Sequence, residues 1–289
     1  MVKRKKFRLR LPSRTLILGE RTLVMGVLNV TPDSFSDGGQ YLDAEKAVER
    51  ALQMEREGAD ILDIGGESTR PGSMGVPVEE ELRRILPVIT ALRRRLKIPI
   101  SIDTQKAEVA EAAIAAGAEM VNDISALQAD PEVVEIARRR GVPVILMHMR
   151  GTPRTMQKGP FARDVVADVL EGLRRAIIRA RRGRIAQSKI IIDSGIGFGK
   201  NCRQNFELIA RLPELAKLGY PLLVGASRKA FIGDALGGVP AEQRRWGTAA
   251  VVAASIFGGA HIVRVHDVAE MTQVARVTDR ILPDRAKHR

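Results

Sequence analysis

Residues 57–64 have the sequence Glu-Gly-Ala-Asp-Ile-Leu-Asp-Ile, which combines a helix end, a turn and a short apolar run. The same order recurs at 116–124, beginning Ala-Gly-Ala-Glu, and at 258–265, beginning Gly-Gly-Ala-His. A glycine after a helical pattern is typical of a helix C-cap. An apolar run without polar alternation is typical of a strand buried on both faces of a parallel sheet. The repeated unit therefore predicts an α/β protein in which helices lead into parallel strands.

This alternation continues along the chain. Apolar runs predict strands at 22–28, 60–64, 98–102, 119–124, 142–148, 189–193, 221–225 and 261–265. Helical patterns lie at 43–58, 78–96, 105–116, 132–140, 162–186, 203–218, 241–258 and 268–281. Eight strand–helix units are typical of a (β/α)8 TIM barrel. An open doubly wound sheet is disfavoured because no glycine-rich phosphate loop follows the first strand.

The N-terminal segment has a different pattern. Residues 7–18 predict a short hairpin with its turn at 12–14, and such a hairpin could plug the N-terminal mouth of a barrel. Residues 1–19 are therefore expected to be a tail and hairpin, and residues 1–289 a single TIM-barrel domain.

The net charge of +13, from 47 Lys and Arg against 34 Asp and Glu, suggests an anionic partner. This charge makes a nucleic-acid-binding protein an alternative functional class. Aromatic residues make up only 3% of the chain, and the basic clusters lack the interleaved aromatics of single-strand binders. We therefore expect solvated basic helix faces and no nucleic-acid partner.

Cysteine content and hydropathy indicate the cellular compartment of the protein. The single cysteine, Cys202, excludes an internal disulfide and any multi-cysteine metal site. No apolar run approaches the roughly 18 residues of a membrane span, and no targeting segment is evident. We expect a cytoplasmic protein without a membrane partner.

Polar residues follow nearly every predicted strand, where a barrel enzyme builds its site. Each alone could cap a helix or a turn, but together they favour an active site. Asp103, Asn122 and Asp193 suit a flat heterocycle with amine and N–H donors, since a carboxylate can accept two donors. Other strand ends suit a phosphate group, with or without a hard metal ion. The strand-end residues are Asn29, Asp63, Asp103, Asn122, Asp123, His148, Asp193, Lys229, Arg264, His266 and Asp267.

Three loops have unusual compositions. Residues 31–39 and 65–73 mix glycines with polar residues, as lids that close over a substrate do. Residues 195–200, Gly-Ile-Gly-Phe-Gly-Lys, superficially resemble a phosphate loop, but the spacing is not that of the Walker A motif.

Two long motifs, at 25–39 and 60–72, resemble the two signatures of the dihydropteroate synthase family. Shorter segments around Asp103, Asn122, Lys229 and Arg264 follow in the family order, so the likeness covers about residues 20–280. The resemblance implies a (β/α)8 transferase of folate biosynthesis. Such an enzyme condenses 6-hydroxymethyl-7,8-dihydropterin diphosphate with 4-aminobenzoate to give 7,8-dihydropteroate and diphosphate, and sulfonamides compete with the aminobenzoate.

The resemblance also implies roles for the matching residues. The implied catalytic residues are Asp103, Asp193, Lys229, Arg264 and His266. The implied pterin-binding residues are Asp103, Asn122, Asp193 and Lys229. The implied diphosphate-binding residues are Asn29, Thr69, Arg264 and His266, and Asn29 would also meet Mg2+. The implied aminobenzoate-binding residues are Phe35, Arg70, Pro71, Phe198 and Lys229. The family is commonly dimeric, which implies a homodimer through the last helices.

Two positions depart from the family pattern. Ser194 stands where the family usually has proline, and Ala230 where many members have serine. Neither removes an essential group, so we expect effects on affinity more than on activity. The alternatives are a pterin-dependent methyltransferase, which should lack the complete lid loops, and a catalytically inactive paralogue that binds pterin.

Overall fold

The computed structural model describes residues 4–31, 40–69, 72–159 and 161–282. The strands are β1 (Phe7–Arg10), β2 (Thr15–Leu18), β3 (Leu23–Asn29), β4 (Ile61–Gly65), β5 (Ile100–Asp103), β6 (Met120–Asp123), β7 (Val144–Met147), β8 (Ile190–Asp193), β9 (Leu222–Val224) and β10 (Ile262–Val265). Strands β3 to β10 pair in parallel and close a barrel in the order β10-β3-β4-β5-β6-β7-β8-β9. Strands β1 and β2 form a separate antiparallel hairpin. The predicted TIM barrel with an N-terminal hairpin is confirmed.

Helices surround the barrel. They are α1 (Gln40–Glu57), α2 (Val78–Leu92), α3 (Ala107–Ala116), α4 (Glu132–Arg140), α5 (Val165–Arg182), α6 (Cys202–Ala210), α7 (Leu212–Ala216), α8 (Ala230–Ala235), α9 (Arg245–Phe257) and α10 (Val268–Ile281). The single helix predicted at 203–218 is divided into α6 and α7, because Pro213 has no N–H to continue the hydrogen-bond ladder. Helix α8 was not predicted, since its six residues are too short to display a helical period.

Side chains alternate along each barrel strand between the interior and the surrounding helices. In β4, Ile61 belongs to the interior cluster, whereas Leu62 and Ile64 pack in the cluster that contains the helices. Leu9, Leu11 and Leu18 of the N-terminal segment join the interior cluster. The barrel members of that cluster are Leu23, Met25, Ile61, Met120, Ile145, Ile191, Leu223 and Ile262. The hairpin therefore plugs the N-terminal mouth, as predicted.

The interior changes character toward the C-terminal mouth. Two residues beyond Ile61, Met120, Ile191 and Ile262, the next interior positions hold Asp63, Asn122, Asp193 and Arg264. The period of two thus brings one layer of polar side chains to a single mouth, above an apolar floor.

The basic cluster of α4 lies in the last turn of the helix. Arg138 pairs with Glu135 in its own helix, and Arg139 and Arg140 pair with Glu111 of α3. Cations at a helix C-terminus are also favoured by the helix dipole. Across the described ranges, no helix combines the length and apolar composition needed to cross a bilayer.

Candidate active site

A buried ion-pair network occupies the C-terminal mouth. Arg264 on β10 donates through Nε to Asp63 Oδ2 at 2.6 Å and through a terminal nitrogen to Asp103 Oδ2 at 2.6 Å. The side-chain amide of Asn122 donates to the same Asp63 oxygen at 2.9 Å. Four strands therefore contribute to one network, in which a single guanidinium joins two carboxylates.

Two carboxyl groups in this mouth, those of Asp103 and Asp193, have raised pKa values. Burial raises the pKa of Asp103 to about 7, against the opposing effect of Arg264 and with a further rise from Asp63. Burial raises the pKa of Asp193 to about 6, against the backbone N–H of Gly195, which donates to Oδ1 at 2.8 Å. Both groups change charge near neutral pH, which is frequent in functional sites.

Lys229 supplies a second cation. Burial lowers its pKa to about 8, and the positive charge of Arg264 lowers it further, while Asp193 and Asp103 oppose the shift. Its ammonium lies 4.1 Å from the centre of the Phe198 ring, a distance at which cation–π attraction operates. Phe198 belongs to an apolar cluster with Ile124, Met147 and Met156. An apolar wall beside a few polar groups is typical of a pocket for a flat organic ligand.

His266 is held as a neutral imidazole. Burial lowers its pKa to about 3, and Arg264, Arg228 and Lys229 contribute in the same direction. The backbone N–H of His266 donates to Ser227 Oγ at 3.2 Å, and the same hydroxyl lies 3.0 Å from Nδ1. The hydroxyl hydrogen can therefore point to Nδ1, which leaves Nε2 as the protonated nitrogen. His266 can donate a hydrogen bond but carries no charge at neutral pH.

The remaining predicted residues fall into two groups. Asn29 ends β3 in register with Gly65, whose other neighbour is Asp103, so it lies at the same mouth. Thr69 is half-buried in the segment after β4. Phe35, Arg70 and Pro71 lie outside the described residues, as do residues 32–39 of the first predicted lid loop.

Some strand-end residues serve the scaffold instead of the mouth. Asp123 accepts backbone N–H groups of Ser125 and Leu127 at 2.7 Å each, so its function is to cap a turn. Asp267 forms a two-bond pair with Arg228 at 3.0 and 2.5 Å. The capping explanation is wrong for Asp103, which accepts from Arg264 instead. The first N–H group of α3, that of Ala107, donates to Asp130.

Asp63 was not among the residues predicted to bind ligands, yet it anchors the network. It is fully buried and accepts from both Arg264 and Asn122. The period of two in β4 was the available signal, because it places Asp63 on the interior face above Ile61.

Known proteins share both the sequence and the fold of this chain. The pterin binding enzyme family matches residues 25–266. The dihydropteroate synthase of Synechocystis sp. is 50% identical over 261 residues, which cover 90% of each chain. The dihydropteroate synthase of Xanthomonas albilineans solved with 4-aminobenzoic acid superposes with a TM-score of 0.91 at 45% identity, covering 97% of this chain and 100% of that one. The X. albilineans enzyme solved with 7,8-dihydropteroate superposes with a TM-score of 0.87 at 44% sequence identity, and the match covers 96% of this chain and 99% of that one.

Proposed function

The chain belongs to the dihydropteroate synthases of the pterin binding enzyme family, and we propose that its barrel mouth joins 6-hydroxymethyl-7,8-dihydropterin diphosphate to 4-aminobenzoate through the residues described above. The observation that carries the residue assignment is the bridge from Arg264 to Asp63 and Asp103, with Asn122 on the same carboxylate. This network sets acceptors and a cation side by side in one buried layer.

The pterin would lie against Asp103, Asn122, Asp193 and Lys229. A pterin ring presents an exocyclic amine and ring N–H groups, and ionised carboxylates accept such donors strongly. Asp193 keeps its second oxygen for a ligand, since Gly195 donates to Oδ1. The apolar cluster that contains Ile124 and Met147 supports a flat ring.

The diphosphate would lie near Arg264, His266, Asn29 and Thr69. Arg264 uses two of its five N–H groups on carboxylates, so three remain for the anion. His266 would donate from Nε2 as a neutral group. The negative charge of the leaving group would therefore be met by Arg264 and Lys229, with His266 as a hydrogen-bond donor only.

The aminobenzoate would lie beside Phe198 and Lys229. The ring of Phe198 offers an apolar contact, and Lys229, 4.1 Å above it, offers a cation for the carboxylate. Phe35, Arg70 and Pro71 complete this set by resemblance. The same contacts would accept a sulfonamide in competition.

The reaction is a substitution at the pterin methylene carbon. The C–O bond to diphosphate breaks largely before the new C–N bond forms, so positive charge develops on the pterin. Asp103 and Asp193, beside that ring, stabilise this charge electrostatically. The aminobenzoate nitrogen then attacks the methylene carbon and forms the C–N bond. Its surplus proton passes to solvent, and the diphosphate that has already separated is released. No side-chain nucleophile takes part, so catalysis consists of orientation and charge stabilisation.

Magnesium fits this arrangement as an ion shared with the substrate. Within the described ranges, no three His, Cys, Asp or Glu side chains are grouped to hold a metal. Asn29 offers one amide oxygen at the mouth, and Mg2+ is often held by one or two protein oxygens together with substrate phosphates and water. When bound, the ion would neutralise charge on the leaving diphosphate.

We also propose a cytoplasmic homodimer that contacts through the last helices. Trp246 on α9 and Val277 and Ile281 on α10 are exposed, at 78%, 62% and 56%. Light scattering of the purified protein should give about twice the 31.6 kDa chain mass, and Trp246→Glu and Val277→Glu should each shift it toward the monomer. A monomer at micromolar concentration would refute the dimer. Cell fractionation tests the compartment.

Turnover tests the proposed function. The protein is incubated with the pterin diphosphate, 4-aminobenzoate and magnesium, and dihydropteroate is measured with and without a sulfonamide. Asp193→Ala should abolish pterin binding, while the exposed-pair variant Glu135→Gln should keep full turnover. No product from the unmodified protein would refute the function, and full turnover by Asp193→Ala would refute the pterin assignment.

A further inference from the structure

The segment 195–200 folds around an ammonium group. Lys200 is buried, with 3% of the residue exposed, and its Nζ donates to the carbonyl oxygens of Gly195 and Phe198 at 2.8 and 2.9 Å. The third hydrogen can point to Nδ1 of His148, 3.1 Å away. A phosphate loop instead turns its N–H groups toward an anion. The glycine-rich segment is therefore the electrostatic inverse of a phosphate loop.

Two glycines make room for His148. A Cβ at Gly195, whose φ is 63°, would lie 1.8 Å from the His148 carbonyl oxygen. A Cβ at Gly172 on α5 would lie 2.4 Å from Cδ2 of the imidazole. His148 is thus enclosed between the 195–200 segment and α5, where only glycine fits on either side.

Asp168 sets the orientation of that imidazole. Its Oδ2 lies 3.4 Å from His148 Nε2, and its Oδ1 accepts from Arg150 at 3.0 Å. An acidic neighbour at Nε2 favours a hydrogen on that nitrogen and leaves the Nδ1 lone pair for Lys200. Asp168, His148 and Lys200 therefore form one chain of polar contacts from α5 to the 195–200 segment.

We propose that Lys200, with His148 as its acceptor, is a positioning residue that fixes the 195–199 segment for binding of the aminobenzoate. The inference rests on the proposed function. The segment carries the Phe198 ring beneath Lys229, and Lys200 is the contact that ties it to the end of β7. Lys200 is too deeply buried beneath its own loop to touch a substrate, so it acts through Phe198.

The segment keeps its local turn without Lys200. Phe198 N–H donates to Gly195 O at 3.1 Å, and Gly197 N–H donates to Asn205 Oδ1 at 2.6 Å. The Gly195 contact with Asp193 is also local in sequence. Removing Lys200 should therefore loosen Phe198 far more than the pterin carboxylate, and the two substrates should respond differently.

Lys200→Met is the principal test. We expect the KM for 4-aminobenzoate to rise at least tenfold, while the Kd for the pterin substrate changes less than threefold. Amide hydrogen exchange at 195–199 should become faster. His148→Gln, which takes the acceptor away from Nδ1, should change the KM in the same direction and serves if Lys200→Met does not fold. His148→Asn places an amide oxygen near the Nδ1 position and should restore the KM to within threefold of the unmodified protein.

Arg4→Met is the matched control. Arg4 is also a buried cation, with 5% of its side chain exposed, and it donates to Ala260 O at 3.2 Å and Thr22 Oγ1 at 2.6 Å at the opposite end of the barrel. It should lose stability without any change in KM. An unchanged KM in Lys200→Met, or an equal rise in Arg4→Met, would overturn the proposal. If the unmodified protein formed no product, the proposed function would fail, and unchanged exchange at 195–199 in Lys200→Met would separately refute the positioning role.

Discussion

Arg264 Nε donates to the buried carboxylate of Asp63 at 2.6 Å, although the two residues are 201 positions apart in sequence. The same oxygen receives Asn122, so Asp63 orients two side chains of the mouth without being at its surface. Asp63→Asn removes the negative charge of the carboxylate and places an amide N–H donor where Arg264 and Asn122 also donate. Because breaking a buried pair leaves an uncompensated charge, we expect the free energy of unfolding to fall by about 3 kcal/mol. We expect kcat/KM for the pterin substrate to fall at least 100-fold.

Urea denaturation and steady-state kinetics measure these two effects. Glu135→Gln is the control, since Glu135 pairs with Arg138 on the surface, with 57% and 40% of the side chains exposed. An ion pair this exposed to solvent contributes little to stability, so this variant should unfold and turn over nearly as the unmodified protein does. Normal pterin kinetics in Asp63→Asn would show that Asp63 does not orient the mouth.

The sequence is sufficient to predict the barrel because each unit carries its own signals. Eight apolar runs, with glycines at several helix ends, predict the eight strands that are observed. The polar residues at the ends of these runs predict the barrel mouth. The fact that a polar residue stands at the end of a strand predicts its function less well than the face of the strand on which it lies. Asp63 lies inside above Ile61, whereas Asp123, one residue after Asn122, caps a turn. The period of two distinguishes these cases, and the simple order of residues does not.

Lys200 illustrates what local sequence does not contain. Its partners come from its own loop and from the end of β7, and His148 depends in turn on Asp168 in α5. A glycine-rich run with a lysine is compatible with an anion site or with a buried cation. Only the direction of the carbonyl groups in three dimensions decides between them.

The pH dependence of turnover follows from three groups in the mouth. Asp193 and Asp103, with pKa values of about 6 and about 7, must be ionised to accept pterin donors, so activity is lost as the pH falls through that range. Lys229, with a pKa of about 8, loses its charge as the pH rises. We expect a bell-shaped profile of kcat/KM for the pterin substrate with its maximum between these values.

Lys229→Arg tests the alkaline side of that profile. A guanidinium stays protonated over the accessible range, so the decline near pH 8 should move upward by at least one pH unit, whatever the absolute rate. The acid side should not move, since Asp103 and Asp193 are retained. An alkaline decline at the same pH in this variant would assign it to another group.

Ser194 carries a buried hydroxyl without compensation. The residue is fully buried, and Oγ has no hydrogen-bond partner among the described residues. Because burying an unpaired hydroxyl costs about 1–3 kcal/mol, Ser194→Ala should raise the free energy of unfolding by about 1 kcal/mol. Ser255→Ala is the matched control, since Ser255 Oγ donates to Val251 O at 2.7 Å. It should lower the free energy of unfolding by about 1 kcal/mol, and equal effects of the two variants would contradict the explanation.

His261 joins the N-terminal hairpin to the barrel and should make the fold acid-sensitive. Its Nδ1 accepts the N–H of Leu222 at 3.1 Å, so Nε2 carries the hydrogen and donates to Lys5 O at 2.9 Å. Burial lowers its pKa from 6.5 to about 4.

Folding therefore favours the neutral form of His261. The stability that this preference contributes is complete above the pKa of the unfolded chain, and it is lost as the pH falls through the pKa of the folded protein. At the acid end this amounts to about 3 kcal/mol. His261→Asn retains an acceptor for Leu222 but cannot titrate. Urea denaturation at several pH values between 7 and 4 should therefore show a shallower loss of stability in His261→Asn than in the unmodified protein, while His148 and His266 titrate equally in both. Parallel curves would mean that His261 does not control this loss.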